Sequence, residues 1–308
     1  MKVRTIIVTL LLACLLQPVY ADGGYGMTDS VGHQVQLSYT PQRTAVLFSS
    51  LADLWTVAGG KVAITVGETV QRGITGSDVA LVDSNAGKQI NLELLLSLEP
   101  DFIIGSADIA SHRELAQICQ AAGIPTALFH IECFTDYLDV LKIFCDILHN
   151  DRPYNTYGTS LQAEIDQLLT ENDYTGKTYL FLRVASTSDS IKAKTSAEHF
   201  ACSMLNDFGL TNIYDGSSFS GGTINAEFLL YNEPDYIFVT LMGDESAGRS
   251  NLERLFEDPV WHNLSAVRSG RVSILIRELF HFKPNSKWAT AYRALCTELM
   301  KGIDENEP

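Results

Sequence analysis

The sequence predicts an α/β protein of two lobes, each built on a parallel sheet, joined by a single long helix. Three observations carry this. One stretch occurs twice; short apolar runs alternate with helical patterns; and one interval between the halves is helical throughout.

Residues 90–104 return as residues 224–238, with nine of fifteen aligned positions identical. The copies lie 134 residues apart, far beyond a solenoid period, so each belongs to its own lobe. Asn91 and Asn225 are placed to cap a short helix, with Glu93 and Glu227 in its first turn, where the helix dipole favours an anion. The Glu-Pro step ends that helix, because proline disfavours the αR region in the residue before it. Residues 102–104 and 236–239 then read as buried strands.

The remaining elements follow in order. After a polar lead (22–43), residues 44–48 read as the first strand, followed by Ser49 and Ser50 and a helix over 51–58 closed by Gly59-Gly60. Strand, hydroxyl pair and helix can point free backbone N–H groups at an anion, and Ser50 can equally cap the helix. Residues 61–66 give a second strand and 67–88 a glycine-rich loop. Ser111 to Glu114 has the form of a capping box, opening a helix that stops at Gly123 before Pro125. Residues 126–131 form a strand, and Thr135 caps a helix running to about His149.

Between 150 and 173, Tyr157, Leu161, Ile165, Leu168 and Leu169 recur at helical spacing, which predicts the connecting helix. In the second half, 177–184 is a strand, 197–208 a helix closed by Gly209, and 238–241 and 271–276 are strands. Pro284 opens a last helix with Trp288, Tyr292, Leu295 and Leu299 on one face. The expected organisation is an N-terminal lobe over 22–149, an interlobe helix over 150–175 and a C-terminal lobe over 176–308.

Bulk properties narrow the function. The 308 residues suffice for two domains, and 46% hydrophobic with 19% charged residues describes a globular chain. A net charge of −15 excludes a general nucleic-acid binder. Residues 1–21 have the form of a secretion signal: Lys2 and Arg4, an apolar run, and Val19-Tyr20-Ala21 before the cleavage point. Export with cleavage after Ala21 places the mature protein in the periplasm; a lipoprotein anchored through Cys14 is the alternative. Cys119, Cys133, Cys145, Cys202 and Cys296 form no metal-site spacing, and all but Cys133 fall in apolar helical patterns.

Taken together, the chain resembles the substrate-binding proteins of ABC importers for ferric siderophores, haem and cobalamin, the class III periplasmic binding proteins. The residues that carry the resemblance are Arg43 to Leu47, Asn91-Leu92-Glu93 leading to Leu98-Glu99-Pro100-Asp101, and Gly123-Ile124-Pro125. Late in the chain, Asp258 to Trp261 and Leu264 to Val272 complete the series. The resemblance implies two Rossmann-like lobes joined by one rigid helix, a ligand cleft between the lobes, and no catalysis. It implies docking onto arginines of a dimeric permease through Glu93 and Glu227, and the chain is expected as a monomer.

In doubly wound lobes the ligand lies beyond the carboxyl ends of the strands. Those ends offer Ser49, Ser50, Ser106, His130, Arg183, Met242 and Arg277. Residues 277–285 mix aromatics, a histidine and cations, which suits an aromatic or metal-complex ligand carrying negative charge. Arg183, Lys192 and Lys194 add cations to an acidic chain. The candidate ligand-binding residues are therefore Ser49, Ser50, Trp55, Arg183, Lys194, Met242, Arg277, Phe280 and His281. The expected ligand is an iron complex (ferric siderophore or haem) or cobalamin, with no resident cofactor.

Two other readings stand beside this one. His130, His199 and His281 could bind free zinc, manganese or iron for an importer, or serve singly as axial haem ligands. They lie far apart with no i, i+4 pairing and no obvious carboxylate companion, so none is assigned as a metal ligand. A chelatase-like enzyme on a similar scaffold is the second; the export signal and the lack of a cysteine cluster or GxSxG motif weigh against it.

Overall fold

The computed structural model describes residues 24–187, 191–217, 224 and 226–301. The leader with Cys14 and the cap expected at Asn225 lie outside them. No helix among the described residues is long and apolar enough to cross a membrane.

The polar lead is a correction. It contains a hairpin of β1 (Tyr25–Thr28) and β2 (Gln34–Leu37), antiparallel, with alternate residues turned inward. Asp29 fixes it: the buried carboxylate accepts from the backbone N–H groups of Val31, His33 and Leu128 at 2.8–3.1 Å. Two four-residue strands carry too little pattern to stand out beside polar neighbours.

The first lobe then alternates strand and helix: β3 (Thr44–Val46), α1 (Ser49–Val57), β4 (Ile64–Val66), α2 (Gly67–Gln71), β5 (Ala80–Asp83), α3 (Leu92–Ser97), β6 (Phe102–Ser106), α4 (Ala110–Ala121), β7 (Thr126–Phe129) and α5 (Phe134–Ile147). The strands run parallel in the order β5-β4-β3-β6-β7. The expected loop over 67–88 thus holds α2 and β5. Gly67 lets the chain turn there, because a Cβ would sit 1.9 Å from the Ser84 carbonyl oxygen. Asp83 closes the next turn by accepting from the N–H groups of Asn85 and Gly87.

Three expected caps move. α1 begins after Phe48 without a side-chain cap; Ser50 sits inside its first turn. α4 begins after Ile109, and Ser111 Oγ donates instead to the Lys88 carbonyl. α5 begins after Cys133, whose N–H and that of Glu132 donate to the Asp136 carboxylate.

A helix assembled from Arg152–Tyr154, a π turn at Asn155–Thr159 and Ser160–Glu171 follows. The second lobe holds β8 (Thr178–Ala185), β9 (Ile191–Ala193), β10 (Thr211–Asn212), β11 (Tyr236–Met242) and β12 (Val272–Ile274). Its parallel order is β10-β8-β11-β12, with β9 antiparallel on β8.

The repeat performs one job twice. Asn91 caps α3 by accepting from Leu94 N–H, and the second copy forms the helix Ala226–Tyr231. Each copy ends in a buried proline and an aspartate that grips a neighbouring strand. Asp101 accepts from the N–H groups of Gln42 and Arg43 just before β3; Asp235 accepts from the N–H and hydroxyl of Thr178 on β8. The strand that follows, β6 or β11, is internal to its sheet.

The lobes share an aromatic seam. Trp288, at the start of the last helix (Trp288–Lys301), meets Phe134 and Tyr137 of α5 and Phe200 of the helix Phe200–Asp207, with centroids 5.8–6.1 Å apart. It is fully buried, and its Nε1 has no partner. Trp288→Ala should cost about 3–5 kcal/mol in denaturant unfolding. Trp288→Phe should cost clearly less, since no hydrogen bond is lost. Equal losses for both would contradict the packing described.

Candidate functional site: a cleft at the carboxyl ends of the strands

Because the strands β3–β7 run parallel, as do β10, β8, β11 and β12, their carboxyl ends share one edge in each sheet, and a cleft lies where those edges face. One chamber of about 170 Å³ is walled by Phe48, Ser50 and Glu132 from the first lobe. Arg183, Glu198, His199, Phe200, Met242 and residues 280–283 close it from the second. It adjoins a chamber of about 290 Å³ formed by Arg183, Ala185, Lys192, Lys194 and Met242.

Strand geometry arranges the cations. Arg183 and Lys192 are direct partners in the antiparallel β8–β9 ladder, so their side chains share a face. Lys194, two residues beyond Lys192, points the same way. Like charges directly opposite one another on neighbouring strands destabilise a sheet. Among the described residues neither Arg183 nor Lys192 forms an ion pair, while Lys194 faces Glu198 at 3.7 Å. Among the described residues the cleft thus presents positive charge without an ion-pair partner at Arg183 and Lys192, in a chain of net −15.

The expected residues divide. Ser50, Arg183, Lys194, Met242, Phe280 and His281 line the chambers. Ser49 is buried behind them, donating to Glu68 and accepting from Arg72. Arg277 lies beside the site and donates to the Gly243 carbonyl at 3.1 Å. Trp55 is a correction: helix α1 turns it into the core against Phe102 and Phe144, and its Nε1 donates to the Lys61 carbonyl. Ser106 lines a small hollow beside the cleft with Asp108, Phe129 and Ile131.

Several residues in or behind the wall had no signal in the sequence. Arg72, the residue that follows α2, lies 4.0 Å over the Phe282 ring and donates to Ser49 Oγ and Ser50 Oγ, tying the first lobe to residue 282. Asn285 adds a second tie, donating to the Ser50 carbonyl and Asp53 at 2.8–2.9 Å. A lone arginine in a glycine-rich stretch shows no periodicity, and Glu132 occupies an ordinary strand-to-helix turn.

The histidines are held in different ways. His130 has a carboxylate companion after all, Asp108 at 2.6 Å. His199 caps its helix by accepting the Ala201 N–H at Nδ1 and packs between the rings of Phe181 and Phe200. Burial, with Lys283, Arg183, Lys194 and His281 nearby, pushes its pKa down to about 3. Burial and the neighbouring Arg277 and Arg183 also lower His281, whose Nδ1 has no partner. Among the described residues no three His, Cys, Asp or Glu side chains are grouped to hold a metal ion.

The neutral His199 has a consequence for stability. The unfolded chain binds a proton at this residue near pH 6.5, and the folded chain does not until about pH 3. Its contribution is complete above pH 6.5 and is lost as the pH falls toward 3. Proton uptake on unfolding near pH ~5 should be smaller by about one in His199→Asn, which retains a capping acceptor. An unchanged uptake would show that His199 is charged in the fold.

A sequence profile of the family described as "Periplasmic binding protein" matches residues 45–278. A curated relative, the Fe(3+)-citrate-binding protein YfmC of Bacillus subtilis (strain 168), is 24% identical over 291 residues, covering 88% of each chain. The periplasmic vitamin B12 binding protein BtuF of Vibrio cholerae superposes with a TM-score of 0.69 at 18% identity, over 86% of this chain and 99% of its own. Staphylococcus aureus SirA complexed with staphyloferrin B gives 0.67 at 18% identity, over 91% and 98%. These structural likenesses speak for the fold, and the profile spans most of the chain. The two-lobed α/β architecture, the strand-end cleft and the profile agree: the chain belongs to the periplasmic binding protein family.

Proposed function

We propose that this exported protein captures an iron complex, a ferric siderophore or haem, or a cobalamin, in the cleft and delivers it to an ABC importer. The observation that carries the reading is the Arg183–Lys192 pair on one face of β8–β9, without an ion-pair partner among the described residues. A sheet that tolerates such repulsion is explained by an anion that bridges it. The cleft therefore favours an anionic iron complex over a corrinoid of little net charge. Phe48, Phe280, Phe282 and Met242 supply apolar surface for the rest of such a ligand. The curated relative is named for ferric citrate, and structural neighbours are described as siderophore, haem and vitamin B12 binding proteins. The pairing of His130 with Asp108 and the capping role of His199 disfavour free-metal binding through the three histidines.

Delivery rests on the repeat. Glu93 and Glu227 are exposed in the first turns of equivalent helices, one per lobe, and would meet arginines of a two-fold permease. Export rests on the leader, cleaved after Ala21 or processed to a lipidated Cys14. The chain would act as a monomer without a cofactor of its own.

Quenching of Trp288, which abuts Phe200 of the cleft wall, reports occupancy. Titration with ferric citrate, ferric siderophores, hemin and cyanocobalamin should give sub-micromolar binding by an anionic iron complex, weakened about tenfold by Arg183→Ala. Binding only to free zinc, manganese or iron would favour the competing reading. Glu93→Ala with Glu227→Ala should leave that affinity intact and abolish stimulation of the importer's ATPase. Undiminished stimulation would refute the docking assignment.

A further inference from the structure

The cations of the cleft are not equally available. Lys283, on the segment leading to the last helix, lies 2.5 Å from the carboxylate of Glu132, which the first lobe presents between β7 and α5. Both side chains are about four-fifths buried, at 18% and 21% exposed, and both line the chamber. The other carboxylate of the wall, Glu198, is tied locally by the N–H and hydroxyl of Thr195 as well as by Lys194. Glu132 has no such anchoring: among the described residues Lys283 is the one polar partner of its carboxylate. Lys283 also lies 5.0 Å from the Phe200 ring, facing the same space.

We propose that Glu132 is a specificity-determining residue: it occupies Lys283 in the empty cleft and sets the negative charge a ligand must carry to displace it. The inference rests on the reading of the cleft as a site for anionic metal complexes. Its physical basis is competition. A charge pair shielded from water attracts more strongly than one on the surface. A neutral ligand meets Lys283 already neutralised and gains nothing from it. A weakly anionic ligand gains from Lys283 only by parting it from Glu132, and then carries the repulsion of that carboxylate. A polyanion that Arg183 and Lys192 also grip offsets both costs. A carboxylate set against the cations of the wall thereby discriminates by charge, through repulsion as well as attraction.

The test is calorimetric titration of the full-length mature protein with hemin, ferric citrate, a neutral ferric trihydroxamate and cyanocobalamin. Wild type, Glu132→Gln, Lys283→Gln and the double variant are compared. Glu132→Gln should tighten binding of the anionic complexes about tenfold and leave the neutral ones within about twofold. Lys283→Gln should weaken anionic binding, and Glu132→Gln should tighten it by less in that background, where only the repulsion of the carboxylate is relieved and no lysine is freed. The inference is overturned if Glu132→Gln weakens anionic binding, tightens neutral and anionic ligands alike, or acts undiminished without Lys283. Wild-type binding with no response to Glu132→Gln defeats the charge threshold alone. A wild type that binds none of the four complexes defeats the cleft reading and the inference with it.

Discussion

The burial of Trp288 between α5 and the helix Phe200–Asp207 is the contact on which the cleft depends. The segment before it leaves β12 in the second lobe and carries Phe280, His281, Phe282 and Lys283 across to the first. Nothing in its sequence periodicity would hold it there. It is pinned at its far end by the indole, by Asn285 donating to Ser50 and Asp53, and at its middle by Arg72 stacked on Phe282. Apolar burial supplies the strength, and the polar ties fix the register of one lobe against the other.

On that frame the two lobes contribute different chemistry. The first presents Phe48, Ser50 and Glu132; the second presents its cations on the β8–β9 ladder and its aromatics on the pinned segment. The short β9 matters out of proportion to its length, since it places Lys192 opposite Arg183 and Lys194 beside them. Arg183 and Lys192 are both exposed there, open to an anion arriving from solvent. Glu132 and Lys283 then close a charge pair across the lobes, so the same contact that steadies the cleft also meters what enters it.

How much was legible follows from the physics of each element. The repeat disclosed both lobes because residues with local work are needed again when a helix-strand unit is used twice: Asp101 and Asp235 each hold a backbone N–H, as Asn91 does in the first copy, and each proline stops its helix. The π-interrupted helix and the last helix were legible from apolar spacing. The hairpin of β1 and β2, α2 and β5 were not, because elements of four or five residues among polar neighbours give too few periods to register. In the site, residues at strand ends were found because topology alone places them there. Arg72, Glu132 and the burial of Trp55 were missed, since the direction in which a side chain on a short helix or in a turn points is set by tertiary packing.

The measurement that bears most directly on the central claim is anomalous diffraction at the iron edge, from crystals grown with the tightest-binding ferric complex. The account predicts one strong peak in the cleft, between the β8–β9 cations and the segment of His281 and Lys283, with ligand oxygens near Arg183 and Lys192. A peak in the groove lined by Tyr25, Asp29 and His130, or iron bound directly by His130 with no chelate, would contradict it.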